Sequence, residues 1–248
     1  GLTLSPEEQH LIEEAAVAGT RIYVSGMTND STEVASLRGE ERQAVTDYLT
    51  HGGVQNLRRL FNYTRRVLDG KRLFSESVQA PLEIPGDGLF HTLSETIFAS
   101  PEEYQEWYAE AGHYKPGRPR VALVTSVMGA GSQGRGYVRA LVDGVESRNL
   151  NVYPTSGFLK RLEFLEDINP DLVVYVPHGR LAPGSADAMI AWLEEQNIPV
   201  LAPIDVFMPH HEWLDTQQGL SGGLLSQTIV TPELDGAIEP YAFAAQYP

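Results

Sequence analysis

His178, Arg180, His210 and His211 are the side chains in this sequence best suited to hold a metal ion or an anionic, metal-bearing ligand, and each follows an apolar run that reads as a strand. The run Val121-Ala-Leu-Val-Thr-Ser-Val-Met128 gives way to Gly129-Ala-Gly131-Ser-Gln-Gly134. The run at 171–176 ends in Pro177-His178-Gly179-Arg180, and the run at 198–204 in Asp205, Met208 and His210-His211-Glu212. Parallel strands bring their carboxyl ends to one rim, where ligands of open α/β sheets bind. Ser126, Met128, His178, Arg180, His210 and His211 are therefore candidate ligand contacts, with His210 and His211 as candidate metal ligands. A guanidinium at position 180 suits a carboxylate substituent. Each residue also has a plainer reading: wet loops are polar, a vicinal histidine pair decorates many surfaces, and Arg180 serves equally well in an ordinary ion pair.

Gly129, Gly131 and Gly134 match Gly-x-Gly-x-x-Gly, the pattern that lets backbone N–H groups approach a pyrophosphate at a helix start. A dinucleotide site also needs an acidic residue about 20 positions further on, at the end of the second strand. That strand ends here in Ser156-Gly157-Phe158, with no carboxylate before Glu163, and the first glycine comes late after the strand. An NAD(P)H site, another anion- or ligand-facing turn, and plain turn glycines all stay open.

Other chemistries are excluded more firmly. There is no Gly-Lys-Ser/Thr phosphate loop, no His-Glu-x-x-His and no serine-histidine-acid order, so classical NTPase and hydrolase readings fail. Cysteine is absent, which removes disulfides and thiolate sites together. A net charge of −15 disfavours a nucleic-acid partner, because phosphate backbones are bound by a concentrated basic face. No run approaches the length of a membrane span.

These residues need a scaffold, and its pattern is strand and helix in alternation. Strands are expected at 120–127, 151–155, 171–176 and 198–204, with helices at 135–148, 158–168 and 184–196, which spells a doubly wound parallel sheet of the Rossmann or flavodoxin type over residues 117–248. Residues 31–116 read as a helical, loop-rich connector: two helices within 39–70 broken at His51-Gly52-Gly53, then a Pro/Gly-rich stretch with one helix from the Ser100-Pro101 cap. Residues 1–30 read as the end of a preceding α/β unit, a helix from Ser5-Pro6-Glu7-Glu8 and a strand at 21–25. The start at Gly1 and the stop at Pro248 suggest a piece of a longer polypeptide.

Three stretches resemble the large subunit of cobaltochelatase and the porphyrin-binding subunit of magnesium chelatase. They are Gly52-Gly53-Val-Gln-Asn56-Leu57 at a helix entry; Arg118-Pro119-Arg120-Val121 with Leu141 to Val152 beyond it; and Trp213, Gly219-Leu220-Ser221 and Thr231-Pro232-Glu233-Leu234-Asp235-Gly236 towards the end. The resemblance covers roughly residues 39–245. It implies a fragment from the amino-terminal half of a subunit that binds a tetrapyrrole for insertion of a divalent metal (cobalt, magnesium or iron), with ATP used by separate AAA+ partners, a cytoplasmic setting, and no activity for the fragment alone. The chain departs from the family pattern at 126–134 and 177–180, both on the ligand rim. Iron removal from haem, with or without NAD(P)H, therefore stands beside cobalt insertion, as does a non-catalytic docking module for partner subunits. Glu233-Leu-Asp235-Gly236 has a structural reading as an acidic turn.

Overall fold

Arg120–Val124 is a run of small and β-branched apolar residues, and it forms the strand about which most of the chain is arranged. The computed structural model describes residues 5–24, 35–73, 75–125, 136–176, 178–237 and 241–246, with the backbone alone at 207, 208, 210, 245 and 246. The chain divides into two compact units, Gly1–Glu83 and Ile84–Pro248.

In the first unit, helix α1 (Pro6–Val17) opens on a reciprocal cap: Ser5 Oγ accepts from the Glu8 amide, and the Glu8 carboxylate accepts from the Ser5 amide at 2.8 Å. Helices α2 (Gly39–His51) and α3 (Gly53–Tyr63) break where Gly52 and Gly53 take φ of 63° and 80°, left-handed backbone that other residues resist. Leu37, Val45 and Leu68 are the buried centre, with Tyr23, Leu60 and Tyr63 against them. Asn56 is buried and pairs with Leu82 as a strand would: its Nδ2 donates to the Leu82 carbonyl at 2.8 Å and its Oδ1 accepts the Leu82 amide at 2.7 Å. The strand expected at 21–25 is not found over 21–24. The Ile22 amide is taken by the Ser36 hydroxyl and its carbonyl by the Ser36 and Leu37 amides, a local loop pairing that leaves no ladder to extend.

The second unit is built on a six-stranded sheet. In chain order its elements are β1 (Gly88–Phe90), β2 (Ile97–Phe98), α4 (Pro101–Glu110), β3 (Arg120–Val124), α5 (Gly136–Ser147), β4 (Asn151–Ser156), α6 (Arg161–Ile168), β5 (Leu172–Tyr175), α7 (Ala186–Gln196) and β6 (Val200–Leu201). The sheet order is β2-β1-β4-β3-β5-β6; β4, β3, β5 and β6 are parallel, and β1 runs antiparallel to its neighbours. Alternate residues of a strand face opposite sides. Leu123 accordingly clusters with Val138 and Val142 of α5, while Ala122 and Val124 cluster with Leu165 of α6 and Met189 of α7. The fold is α/β with a mostly parallel, doubly wound sheet.

Two elements differ from expectation. The stretch 84–116, read as connector, enters the second unit, because β1 adds to the edge of β4 through Gly88 opposite Ser156 and Leu89 opposite Thr155. The single strand expected at 198–204 is divided: β6 stops at Leu201, and the chain then enters β7 (Pro203–Pro209), which pairs in parallel with β8 (Tyr241–Gln246) in a separate two-stranded sheet. Between β7 and β8 the described residues form three short helices, α8 (His210–Asp215), α9 (Gly222–Leu225) and α10 (Thr231–Glu233), with a π turn over Ser226–Val230.

Candidate functional site

The chain leaves β3 for β4 on one side and returns to β5 on the other, so the switch point of the parallel order lies between the carboxyl ends of β3 and β5. That crevice is where open α/β sheets take ligands. It is bounded by Thr125 after β3 and by residues 178–181 after β5. Ser126, Met128, Gly129, Gly131 and Gly134 lie outside the described residues.

Arg161, at the start of α6, holds this mouth together. Its side chain is fully buried. Nε donates to the Gly157 carbonyl at 2.8 Å, Nη1 to the carbonyls of Leu181 at 2.8 Å and Arg180 at 3.3 Å, and Nη2 to that of Thr125 at 3.0 Å. One guanidinium thus ties the ends of β3, β4 and β5, using the planar donor fork that lysine lacks. The Phe158 ring lies 4.5 Å from its central carbon and Tyr175 5.6 Å. Burial lowers its pKa, and the Tyr175 hydroxyl beside it acts the other way.

The turn after β5 is gripped from a distant part of the sequence. Arg180 donates through Nε to Asp235 Oδ1 at 2.7 Å, with Nη2 on the same oxygen, and the Leu181 amide donates to Asp235 Oδ2 at 2.7 Å. The Gly179 amide reaches the Gln227 carbonyl of the π turn at 2.8 Å, and the Tyr175 hydroxyl donates to the Gly179 carbonyl at 2.7 Å. His178 is half-buried, and its amide donates to the Tyr175 hydroxyl at 3.3 Å. Hence Asp235, of the Thr-Pro-Glu-Leu-Asp-Gly element, braces the turn that presents His178, and the Nε and Nη2 edge of Arg180 is taken up by that brace.

His210 and His211 follow β7 at the start of α8, and His211 is exposed. They do not follow the end of β6, because the whole of β7 intervenes. Asp205 is buried within β7. At the end of β4, Gly157 has φ of 89°, and a Cβ there would fall 2.3 Å from the Asp87 carboxylate, so the two segments touch directly. Asp87 Oδ1 accepts the Leu159 amide at 2.7 Å and the Lys160 amide at 3.3 Å, directing the carboxylate at the entrance to α6. A cavity of about 1120 Å³ lies between α7, β6 and the 232–237 turn; it shares Tyr175, Leu181 and Asp235 with the braced turn.

Among the described residues, the side chains that converge as a metal-type group are His91, His113 and Glu146, none of which the sequence reading singled out. They come from three elements with no spacing motif, and only the antiparallel addition of β1 brings His91 to the others. Arg161 escaped notice for a related reason: its partners are carbonyls, which carry no side-chain signature.

An open, mostly parallel α/β layer with a braced mouth at its switch point defines a module of the doubly wound class. The chain matches the family CobN/Magnesium Chelatase over residues 46–248, and it belongs to that family. It is 26% identical over 183 residues to the chloroplastic magnesium-chelatase subunit ChlH of Oryza sativa, in both subspecies indica and japonica. That alignment covers 65% of this chain and 13% of the relative. The catalytic subunit of cobaltochelatase from Mycobacterium tuberculosis shares its fold with a TM-score of 0.58 at 23% identity, covering 96% of this chain and 20% of that one. The chain thus spans a small part of the proteins it matches. Among the described residues, no helix is long and apolar enough to cross a membrane.

Proposed function

We propose that this chain is part of a chelatase-type large subunit that binds a tetrapyrrole while a divalent metal, of the cobalt type, is inserted. The observation that supports this reading most is the family match, whose range of residues 46–248 includes the mouth and the Asp235 brace. In this reading Ser126, Met128, Gly129, Gly131, Gly134 and His178 are the candidate ligand contacts, and His210 and His211 contact the metal or the macrocycle. Arg180 faces carboxylate substituents with the part of its guanidinium that Asp235 leaves over. Insertion displaces the pyrrole N–H protons, and imidazoles are suited to take them up. ATP hydrolysis belongs to AAA+ partner subunits.

The test is an absorbance titration of the full-length polypeptide with a metal-free corrinoid, a metal-free porphyrin and haem. Saturable binding of a metal-free macrocycle, weakened at least tenfold by His178→Ala, is expected. Binding of haem alone would move the reading to iron removal, and no saturable binding of any of the three would overturn it.

A further inference from the structure

The opposite end of the sheet carries a second set of titratable side chains. β1 runs antiparallel to β4 and delivers His91 towards the amino end of β4. The last turn of α5 carries Glu146 to the same place, and the segment after α4 supplies His113. His91 is fully buried, the Glu146 side chain is 15% exposed and that of His113 28%. The three converge on one oxygen: Glu146 Oε1 lies 3.3 Å from His91 Nε2 and 3.2 Å from His113 Nδ1.

These spacings fit a metal site as well as a hydrogen-bonded cluster. A tetrahedral ion with bonds of about 2.0–2.1 Å to nitrogen and oxygen holds its ligand atoms roughly 3.3 Å apart. Both histidine-to-carboxylate edges meet that value, and the three ligand atoms all lie within 4.8 Å of one another. We propose that His91, His113 and Glu146 bind one divalent transition-metal ion of the zinc or cobalt(II) class, with a fourth position open on the side of the half-exposed His113. Two imidazoles and one carboxylate favour such ions over magnesium or calcium, which take all-oxygen sites.

The surroundings already support the carboxylate, while His91 has to change tautomer to take an ion. The Tyr108 hydroxyl donates to Glu146 Oε1 at 2.9 Å and orients the carboxylate. Tyr108 stacks on His113 at 5.8 Å and 9°, and Trp107 lies 5.1 Å from His91, walling the group with apolar rings. The Leu93 amide donates to His91 Nδ1 at 3.2 Å, which puts the proton of a neutral imidazole on Nε2 in the metal-free protein. An ion at Nε2 sends that proton to Nδ1, so the Leu93 amide must turn away as the ion enters. The site stands apart from the tetrapyrrole reading, because it lies at the amino ends of the strands and the mouth at the carboxyl ends.

Titration of the chain with Zn²⁺ and with Co²⁺ tests the assignment. One ion per chain is expected, with the visible bands of four-coordinate Co²⁺ and a shifted Leu93 amide resonance. His113→Ala and Glu146→Gln should each weaken binding by at least the ~10–100-fold that loss of an outer-shell partner costs, and Tyr108→Phe by about that amount. His10→Ala, on an exposed helix face, should leave it unchanged. X-ray absorption on the unsubstituted protein, which needs no variant to fold, should show two imidazole ligands. Absence of one-to-one binding, binding that survives both substitutions, or a spectrum with fewer than two imidazoles would overturn the proposal and leave Glu146 as an acceptor for three donors.

Discussion

One oxygen of the Asp235 carboxylate receives Nε of Arg180, and the other receives the Leu181 amide, each at 2.7 Å. A single residue thereby fixes both a side chain and the backbone of a turn 55 positions earlier. Replacing Asp235 by alanine leaves the Leu181 amide without its acceptor at a site where the carboxylate is only 8% exposed, a loss of about 1–3 kcal/mol. Arg180→Ala should cost less, because its side chain is 29% exposed and water shares the ion pair. Urea unfolding of both variants checks the ordering; an Arg180→Ala loss as large as that of Asp235→Ala would contradict it.

Arg161→Met keeps bulk at the mouth and removes every donor. The carbonyls of Gly157 and Leu181 then lose this partner together, and at ~1–3 kcal/mol for each buried group left unpaired the variant should lose about 2 kcal/mol or more. Arg161→Lys should recover only part of that, since one ammonium cannot span three strand ends. Denaturant midpoints decide; a lysine variant as stable as the parent would show that the fork geometry is unimportant.

Two glycines should respond in opposite directions. Gly157→Ala forces an L-residue to φ of 89° and drives a methyl into Asp87, so a loss of ~2 kcal/mol or more is expected from the left-handed backbone and the contact together. Gly144 lies within α5, where an added methyl meets only Arg148 Nη1 at 3.8 Å. Gly144→Ala should therefore stabilise by about 0.5–1 kcal/mol through helix entropy. Thermal melts of the two variants suffice, and a shift of the same sign in both would refute the argument.

Alkaline pH should unfold the protein through its buried phenols. Burial pushes the Tyr153 hydroxyl up to about 12, against an opposing pull from Arg120. A folded pKa above the unfolded value of about 10 means that the neutral form is favoured by folding. The contribution is complete below pH ~10 and is lost as pH rises towards ~12. Tyrosinate absorbance should therefore include a late component that Tyr153→Phe reduces; titration of all tyrosines near their ordinary value would exclude the effect.

Much of this scaffold was legible in the sequence because β-branched runs and helix caps announce themselves. β3, β4, β5 and α5 to α7 fall within a few residues of the runs read for them, and the Gly52-Gly53 break divides two helices as expected. What was hidden depends on partners. β1 is three residues long and becomes a strand by pairing with β2 and β4. The split at Ala202 is marked only by Pro203, which cannot donate to a ladder, and nothing in Val200 to Ile204 says which sheet each residue will join. Asp235 was visible as an acidic turn residue; its hold on Arg180 was not, because a pattern of residue types does not carry a contact across 55 positions.

Arg161 ties the three strand ends together through main-chain oxygens. Such a clasp does not read the side chains at positions 125, 180 and 181, whereas position 157 is held to glycine by its backbone and by Asp87. The loops leaving those strand ends are thus at liberty to exchange their side chains, and with them the shape and polarity offered to a ligand, without undoing the clasp. The same frame can carry differing side chains at the rim so long as the arginine where α6 begins, the glycine at 157 and the Asp235 brace remain.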